Sequence, residues 1–136
     1  MTPPSIDSKS SDTRLAGHAL VEALMAQGVD TCFGVPGESY LAVLDGFYEH
    51  RDRIRFVSCR HEGGASFMAE AQGKLTGRPG ICLVTRGPGA SNAAIGLHTA
   101  FQDSTPMILI VGQVASDQRD RDRKSTRLNS SHIPLS

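Results

Sequence analysis

A single carboxylate is the most chemically suggestive group in this sequence. Glu62 lies between an apolar, strand-like run, Arg55-Phe56-Val57-Ser58-Cys59, and a helix that opens with small residues, Gly63-Gly64-Ala65-Ser66. That spacing puts the carboxylate at the carboxyl end of a strand expected to be buried. In open α/β sheets this is the edge at which ligands bind. With almost no side chain in the first helical turn, a flat molecule can approach the carboxylate closely. The plainer alternative is a helix-start acid stabilised by the macrodipole.

Two neighbouring motifs suggest other chemistry and fail on their spacing. His61-Glu62-Gly63-Gly64-Ala65 begins like the zinc-protease motif H-E-x-x-H, but Ala65 stands where the second imidazole must be. Gly87-Pro88-Gly89-Ala90-Ser91-Asn92 follows a strand and opens a helix, which is the setting of a dinucleotide fingerprint. Asn92 replaces the third glycine, and no acidic residue occurs over 111–113, where the ribose partner should be. The segment also follows the third strand rather than the first. A dinucleotide-binding domain is therefore the weaker alternative. His18, His50 and His98 fall singly on helices, on surfaces or satisfied edges. Cys32, Cys59 and Cys82 match no zinc or C-x-x-C spacing and read as small buried apolar residues in a reducing, cytoplasmic compartment.

The elements that must position Glu62 follow from the apolar periodicity. Helical spacing covers 14–27, with Leu20, Val21, Leu24 and Met25 on one face, Asp12 or Thr13 as caps, and Gly28 as the stop. A strand at 31–35 precedes a helix over 39–50 whose stripe is Tyr40, Leu41, Leu44, Phe47 and Tyr48. A second strand at 54–59 leads to a helix over 62–76, stopped by Gly77 and Pro79. A third strand at 81–85, an Ala/Gly-rich helix over 91–102 and a fourth strand at 107–111 complete the pattern. This alternation predicts an α/β, doubly wound, mostly parallel sheet with helices on both faces. Every loop that follows a strand then lies on one rim: Val35-Pro36-Gly37, His61-Glu62-Gly63-Gly64, Arg86-Gly87-Pro88-Gly89 and Gly112-Gln113.

The 136 residues carry 14 basic and 14 acidic side chains, so no nucleic-acid partner is implied. The longest strongly apolar run, 107–111, is too short to span a bilayer, and no signal-peptide pattern opens the chain. Residues 1–12 read as a disordered leader and 13–122 as the domain. From 123 to 136 the periodicity is lost and the residues resemble translated adapter sequence, a non-native tail. On this reading the sheet is truncated at its C-terminal side.

Three segments together resemble the N-terminal, pyrimidine-binding domain of thiamine diphosphate-dependent enzymes of the acetolactate synthase, pyruvate oxidase and benzoylformate decarboxylase group. They are Phe33-Gly34-Val35-Pro36-Gly37, Arg60-His61-Glu62-Gly63-Gly64-Ala65 with Met68-Ala69-Glu70, and Thr85-Arg86-Gly87-Pro88-Gly89-Ala90-Ser91-Asn92. Asp103-Ser104-Thr105-Pro106 and Gly112-Gln113-Val114 fit the same order, so the likeness runs from about Arg14 to about Gln118. The resemblance implies that Glu62 is the catalytic glutamate, hydrogen-bonded to a ring nitrogen of the aminopyrimidine and favouring its imino tautomer. It implies cofactor contacts at Val35, Pro36, Gly37, Thr85, Gly87, Pro88 and Asn92. Pro36 and Gly37 would lie near the pyrimidine or reacting centre, Gly87 and Pro88 along the ring's edge, and Asn92 would order that loop or a subunit contact.

The same resemblance implies decarboxylation or carboligation of a 2-oxo acid, acetolactate synthase-like in the first instance, by a parent homodimer or homotetramer with no membrane partner. Magnesium and the cofactor's diphosphate would be held by a separate domain with a Gly-Asp-Gly signature, which this sequence lacks, and FAD is possible in the parent. A fragment of this kind is expected to be inactive alone. A non-catalytic module that pairs with a separate diphosphate-binding subunit is the alternative. Three residues depart from the family's usual pattern. Glu38-Ser39 stands where acetolactate synthases carry Gly-Ala, Arg86 where a serine is common, and Gln72 at a position often aromatic.

Overall fold

A computed structural model describes residues 15–114. The expected leader, the Asp12 and Thr13 caps and the 123–136 tail lie outside these residues. The elements run α1 (Ala16–Ala26), β1 (Thr31–Gly34), a 3-10 turn (Glu38–Tyr40), α2 (Leu41–Glu49), β2 (Arg55–Ser58), α3 (Glu62–Thr76), β3 (Gly80–Thr85), α4 (Pro88–Gln102) and β4 (Met107–Gly112). The four strands form one wholly parallel sheet in the order β2-β1-β3-β4. In register, Cys32 of β1 pairs with Phe56 of β2 and Ile81 of β3, and Leu83 of β3 pairs with Ile110 of β4. This is the doubly wound α/β fold that the alternating pattern predicts.

The alternation of β3 shows why both faces are covered. Ile81 and Leu83 point into a core shared with Val21, Leu24, Tyr40, Val43 and Phe47 from the α1–α2 side. Cys82 and Val84 point the other way, against Ala65 and Ala69 of α3 and Ala93 of α4. A strand enclosed on both faces reads as a continuous apolar run, as β3 does. Small side chains line the second layer, so its helices approach closely. A Cβ on Gly96 of α4 would fall 2.3 Å from Ser66 Oγ on α3.

The structure corrects three local expectations. β2 is not a buried strand: it lies at the sheet edge, with Arg55 and Ser58 exposed and Phe56 and Val57 half-buried. The stripe of α2 is Tyr40, Val43 and Phe47, while Leu41 and Tyr48 are 62% and 67% exposed. The segment enters through a 3-10 turn, whose tighter winding shifts the buried face relative to a uniform α-helical projection. Finally, α1 begins after Leu15, which supplies no side-chain cap. Among the described residues no helix is long and apolar enough to cross a membrane.

Candidate functional site

The order β2-β1-β3-β4 separates two crossovers. The chain leaves β1 toward β2 on one side and β3 toward β4 on the other. The switch point, the crevice at which such sheets bind ligands, therefore falls between the carboxyl ends of β1 and β3. The predicted site residues lie on its two walls and beside it.

On the β1 wall, Val35, Pro36 and Gly37 form the connection to the 3-10 turn. The Tyr40 hydroxyl donates to the Val35 carbonyl and braces this loop from within. Gly37 rests directly on Thr85, since a Cβ there would come within 2.0 Å of Thr85 Cγ2. On the β3 wall, Gly87 is the N-cap of α4 with φ 64°, a conformation that suits glycine. Pro88 occupies the first helical position, where its missing N–H costs nothing and its fixed φ fits the helix. The Gly-Pro-Gly run is consequently the cap and first turn of α4, which starts at Pro88 rather than Ser91.

That earlier start matters for Glu62. Gly89, now in the first turn of α4, lies against the carboxylate: a Cβ there would be 2.7 Å from Thr85 Oγ1 and 3.5 Å from Glu62 Oε1. One turn on, Asn92 Nδ2 donates to Glu62 Oε2 at 3.0 Å. Glu62 itself is the first residue of α3 and is half-buried. His61 is the N-cap before it, accepting at Nδ1 from the Gly63 N–H at 3.0 Å. Gly37, Thr85, Gly89, Glu62 and Asn92 thus form a continuous series of contacts. Val35 and Pro36 flank it. Gly112, at the end of β4, packs instead on Ser39 and Tyr40 and so supports the 3-10 turn.

Gly64 differs from its neighbours. A Cβ there would meet nothing within 4 Å, so the chain's own packing does not require a glycine at this point. Gly63, in the same turn, is packed instead, since a Cβ there would come within 3.0 Å of His61 Nδ1.

Burial also marks this region. The Tyr40 phenol is pushed up to about 12 by desolvation, with the charges of Cys82 and Glu62 adding to the effect. The Cys82 thiol is likewise raised to about 12, first by burial and then by Cys59 and Glu62. Both groups therefore stay protonated near neutrality. Tyr40 did not emerge from the sequence as a site residue, and its membership of a buried stripe was the only available signal.

Elsewhere, His18 of α1 faces two acids of α2, with Nε2 2.9 Å from Asp45 Oδ2 and Nδ1 3.1 Å from Glu49 Oε2. Ligating atoms of these three residues lie close enough to hold a metal ion. Both ring nitrogens already face carboxylates, however, and the arrangement is that of an interhelical clasp. On α3, the buried Glu70 accepts from Thr105 Oγ1 at 3.2 Å and pairs with Lys74 at 2.9 Å, tying α3 to the connection before β4.

A parallel, doubly wound sheet with a carboxylate and an amide paired at its switch point is the architecture of ligand-binding α/β domains. The chain belongs to the thiamine pyrophosphate enzyme family, whose N-terminal TPP binding domain matches residues 14–133. It is 41% identical over 119 residues to an acetolactate synthase of Bacillus subtilis, covering 88% of this chain and 20% of that protein. It is 37% identical over 108 residues to a pyruvate oxidase of Lactiplantibacillus plantarum, covering 79% and 18%. A probable 2-ketoarginine decarboxylase of Pseudomonas aeruginosa is 44% identical over 98 residues, covering 72% and 17%. The chain spans about a fifth of the length of these relatives.

Proposed function

We propose that the chain is the pyrimidine-binding part of a larger thiamine diphosphate-dependent enzyme, acetolactate synthase-like, that decarboxylates or joins 2-oxo acids. The observation that carries this reading is the geometry around Glu62. The carboxylate stands at the switch-point rim with one oxygen engaged by Asn92 and the other beside Gly89, where the lack of a side chain leaves room for a guest. Family membership supplies the identity of that guest.

The residues present fit the aminopyrimidine. Asn92 fixes the orientation of the Glu62 carboxylate by donating to Oε2, which leaves Oε1 to share a proton with a ring nitrogen. Gly89 keeps the approach to Oε1 clear, because any side chain there would collide with Thr85. Pro36 and Gly37 form the facing wall, and Gly87 and Pro88 lie at the ring's edge. Thiamine diphosphate, when bound, supplies the electron sink for chemistry at the carbonyl of a 2-oxo acid. Its diphosphate and magnesium ion would be held by another domain, since this sequence has no Gly-Asp-Gly segment.

A second subunit is expected to complete the site, in a parent that is a dimer or tetramer. The outer faces of the two helices that carry Glu62 and Asn92 expose Phe67, Met68, Ile95 and Phe101, at 41%, 47%, 57% and 69%. Exposed apolar side chains of this size on the helices of the site are what a partner's surface would cover. A cytoplasmic location and possible FAD in the parent belong to the same proposal. The split-module reading keeps the same contacts and differs only in where the second half is encoded.

The test is Glu62→Gln in the full-length enzyme, which should abolish cofactor-dependent turnover. Unchanged turnover removes Glu62 from the mechanism. Genomic sequence past codon 123 separates a continuing frame with a Gly-Asp-Gly domain from a stop that supports the split module. Calorimetry that shows binding of NAD but not of thiamine diphosphate would favour the dinucleotide alternative.

A further inference from the structure

Two of the residues that depart from the family's usual pattern meet in space. Arg86 immediately follows Thr85, the last residue of β3, and its guanidinium reaches across toward the loop after β1. There Nη2 comes within 3.8 Å of Glu38 Oε1. The pair spans the mouth of the crevice, beside the point where Gly37 rests on Thr85.

As a structural salt bridge this pair is poor. Its separation exceeds hydrogen-bond range. The Glu38 side chain is 83% exposed, so solvent screens the attraction. Arg86, in contrast, is only 21% exposed, and its Nε is buried with no hydrogen-bond partner. The guanidinium is therefore held at the crevice by packing while its charge is incompletely matched by the chain. A planar guanidinium fork of this kind is suited to a carboxylate, which it can grip through two parallel hydrogen bonds. Arg78 offers no comparable site: it lies at the opposite edge of the sheet, where Nη1 donates to the Gly28 carbonyl at 3.2 Å and the side chain is 60% exposed.

We propose that Arg86 is the carboxylate-receiving residue of this crevice, with Glu38 as its resident counter-ion until an acid substrate docks. The substrate class rests on the reading of the site as one for 2-oxo acids. Exchange of one carboxylate for another leaves the net charge at the mouth balanced, and it selects acids over neutral ketones of the same shape. The opposed charges at 38 and 86 act together, so replacing either one alone alters the selection.

The test is NMR titration of the nitrogen-labelled chain with sodium pyruvate, read at the Arg86 Nε–H and the Gly87 amide. Methyl pyruvate, the same ketone without the charge, and sodium chloride serve as comparisons. Pyruvate alone is expected to give a saturable shift. In Glu38→Gln the affinity should rise about threefold, in keeping with the small coupling of an exposed ion pair. Arg86→Ser should lose the Gly87 response. Arg86→Lys, which keeps the charge without the fork, should retain a weaker one and covers the case in which the serine variant misfolds. No saturation with pyruvate, an equal response to methyl pyruvate or chloride, or an unchanged affinity in Glu38→Gln overturns the assignment. Unchanged turnover in Glu62→Gln of the full-length enzyme would sink the cofactor reading alone, whereas absence of the pyruvate shift sinks the Arg86 assignment alone, so the two failures give different results.

Discussion

Gly96→Ala should destabilise the domain, whereas the same substitution at Gly64 should stabilise it. Both glycines lie on the pair of helices that carries the site. At Gly96 a new Cβ would stand 2.3 Å from Ser66 Oγ, 2.7 Å from Ser66 Cβ and 2.8 Å from the Ser66 carbonyl carbon. The hydroxyl could rotate away, but the carbonyl carbon belongs to the backbone of α3. Reaching ordinary contact at 3.4 Å requires the helices to part by about 0.6 Å. Overpacking of this kind costs about 1–3 kcal/mol. Replacing glycine by alanine in a helix returns up to about 1 kcal/mol. The net loss is about 1–2 kcal/mol, which lowers a urea midpoint by roughly 1 M at an m-value of about 1.5 kcal/mol/M.

At Gly64 no atom stands within 4 Å of the added carbon, so only the favourable helix term of about 0.5–1 kcal/mol remains. Far-UV circular dichroism in urea is the suitable assay, because the chain has no tryptophan. Ser66→Gly in the Gly96→Ala background removes the two shortest contacts and leaves the backbone one, so it should recover part of the loss. The reasoning is refuted if Gly96→Ala is as stable as Gly64→Ala.

Further outcomes follow from the buried thiols and the rim. Of the three cysteines, only the half-buried Cys59 should react with a thiol reagent in the folded protein, with all three reacting in denaturant; rapid labelling of Cys32 or Cys82 would contradict their burial. Burial raises the Cys32 and Cys82 thiols from 9.0 to about 12, so both bind their protons more tightly folded than unfolded. Their contribution to stability is complete below pH 9 and is lost as the pH climbs toward 12, at up to about 1.4 kcal/mol per pH unit for each thiol. Denaturation midpoints across that range, compared with a Cys32→Ala/Cys82→Ala variant, measure the difference. Gly37→Ala should displace the loop after β1, because its Cβ would collide with Thr85 Cγ2. In the full-length enzyme it should weaken thiamine diphosphate binding by calorimetry, and Thr85→Ser in the same background should restore it.

The alternation of helix-length and strand-length apolar segments was enough to read the fold, because a parallel sheet leaves few other arrangements for that order. Glu62 was legible for the same reason: a carboxylate just past a strand and just before a glycine-rich helix can lie only on the ligand rim. The edge position of β2 was not legible, since Phe56 and Val57 are as apolar as residues of a central strand. Gly-Pro-Gly reads as a loop by composition, although a proline after a left-handed glycine also starts a helix, and here it does. The contact between Asn92 and Glu62 joins residues on different helices and depends on how closely those helices pack. That distance is set by the Gly96–Ser66 contact, which no local periodicity encodes. The pairing of Glu38 with Arg86 was hidden likewise, because the crossover order that brings their loops together is a property of the whole sheet.

The seat of Gly96 on Ser66 has a mechanical consequence. With no slack between α3 and α4, the acid of one and the amide of the other travel as a single rigid jaw. Facing it is the short turn at 38–40, seated just as closely: a Cβ on Gly112 would fall 2.3 Å from Ser39 Oγ, and the Tyr40 hydroxyl ties back to the Val35 carbonyl. Each wall thus hangs on one glycine, Gly96 for the acid and Gly112 for the turn, so a side chain added at either is expected to shift one wall against the other.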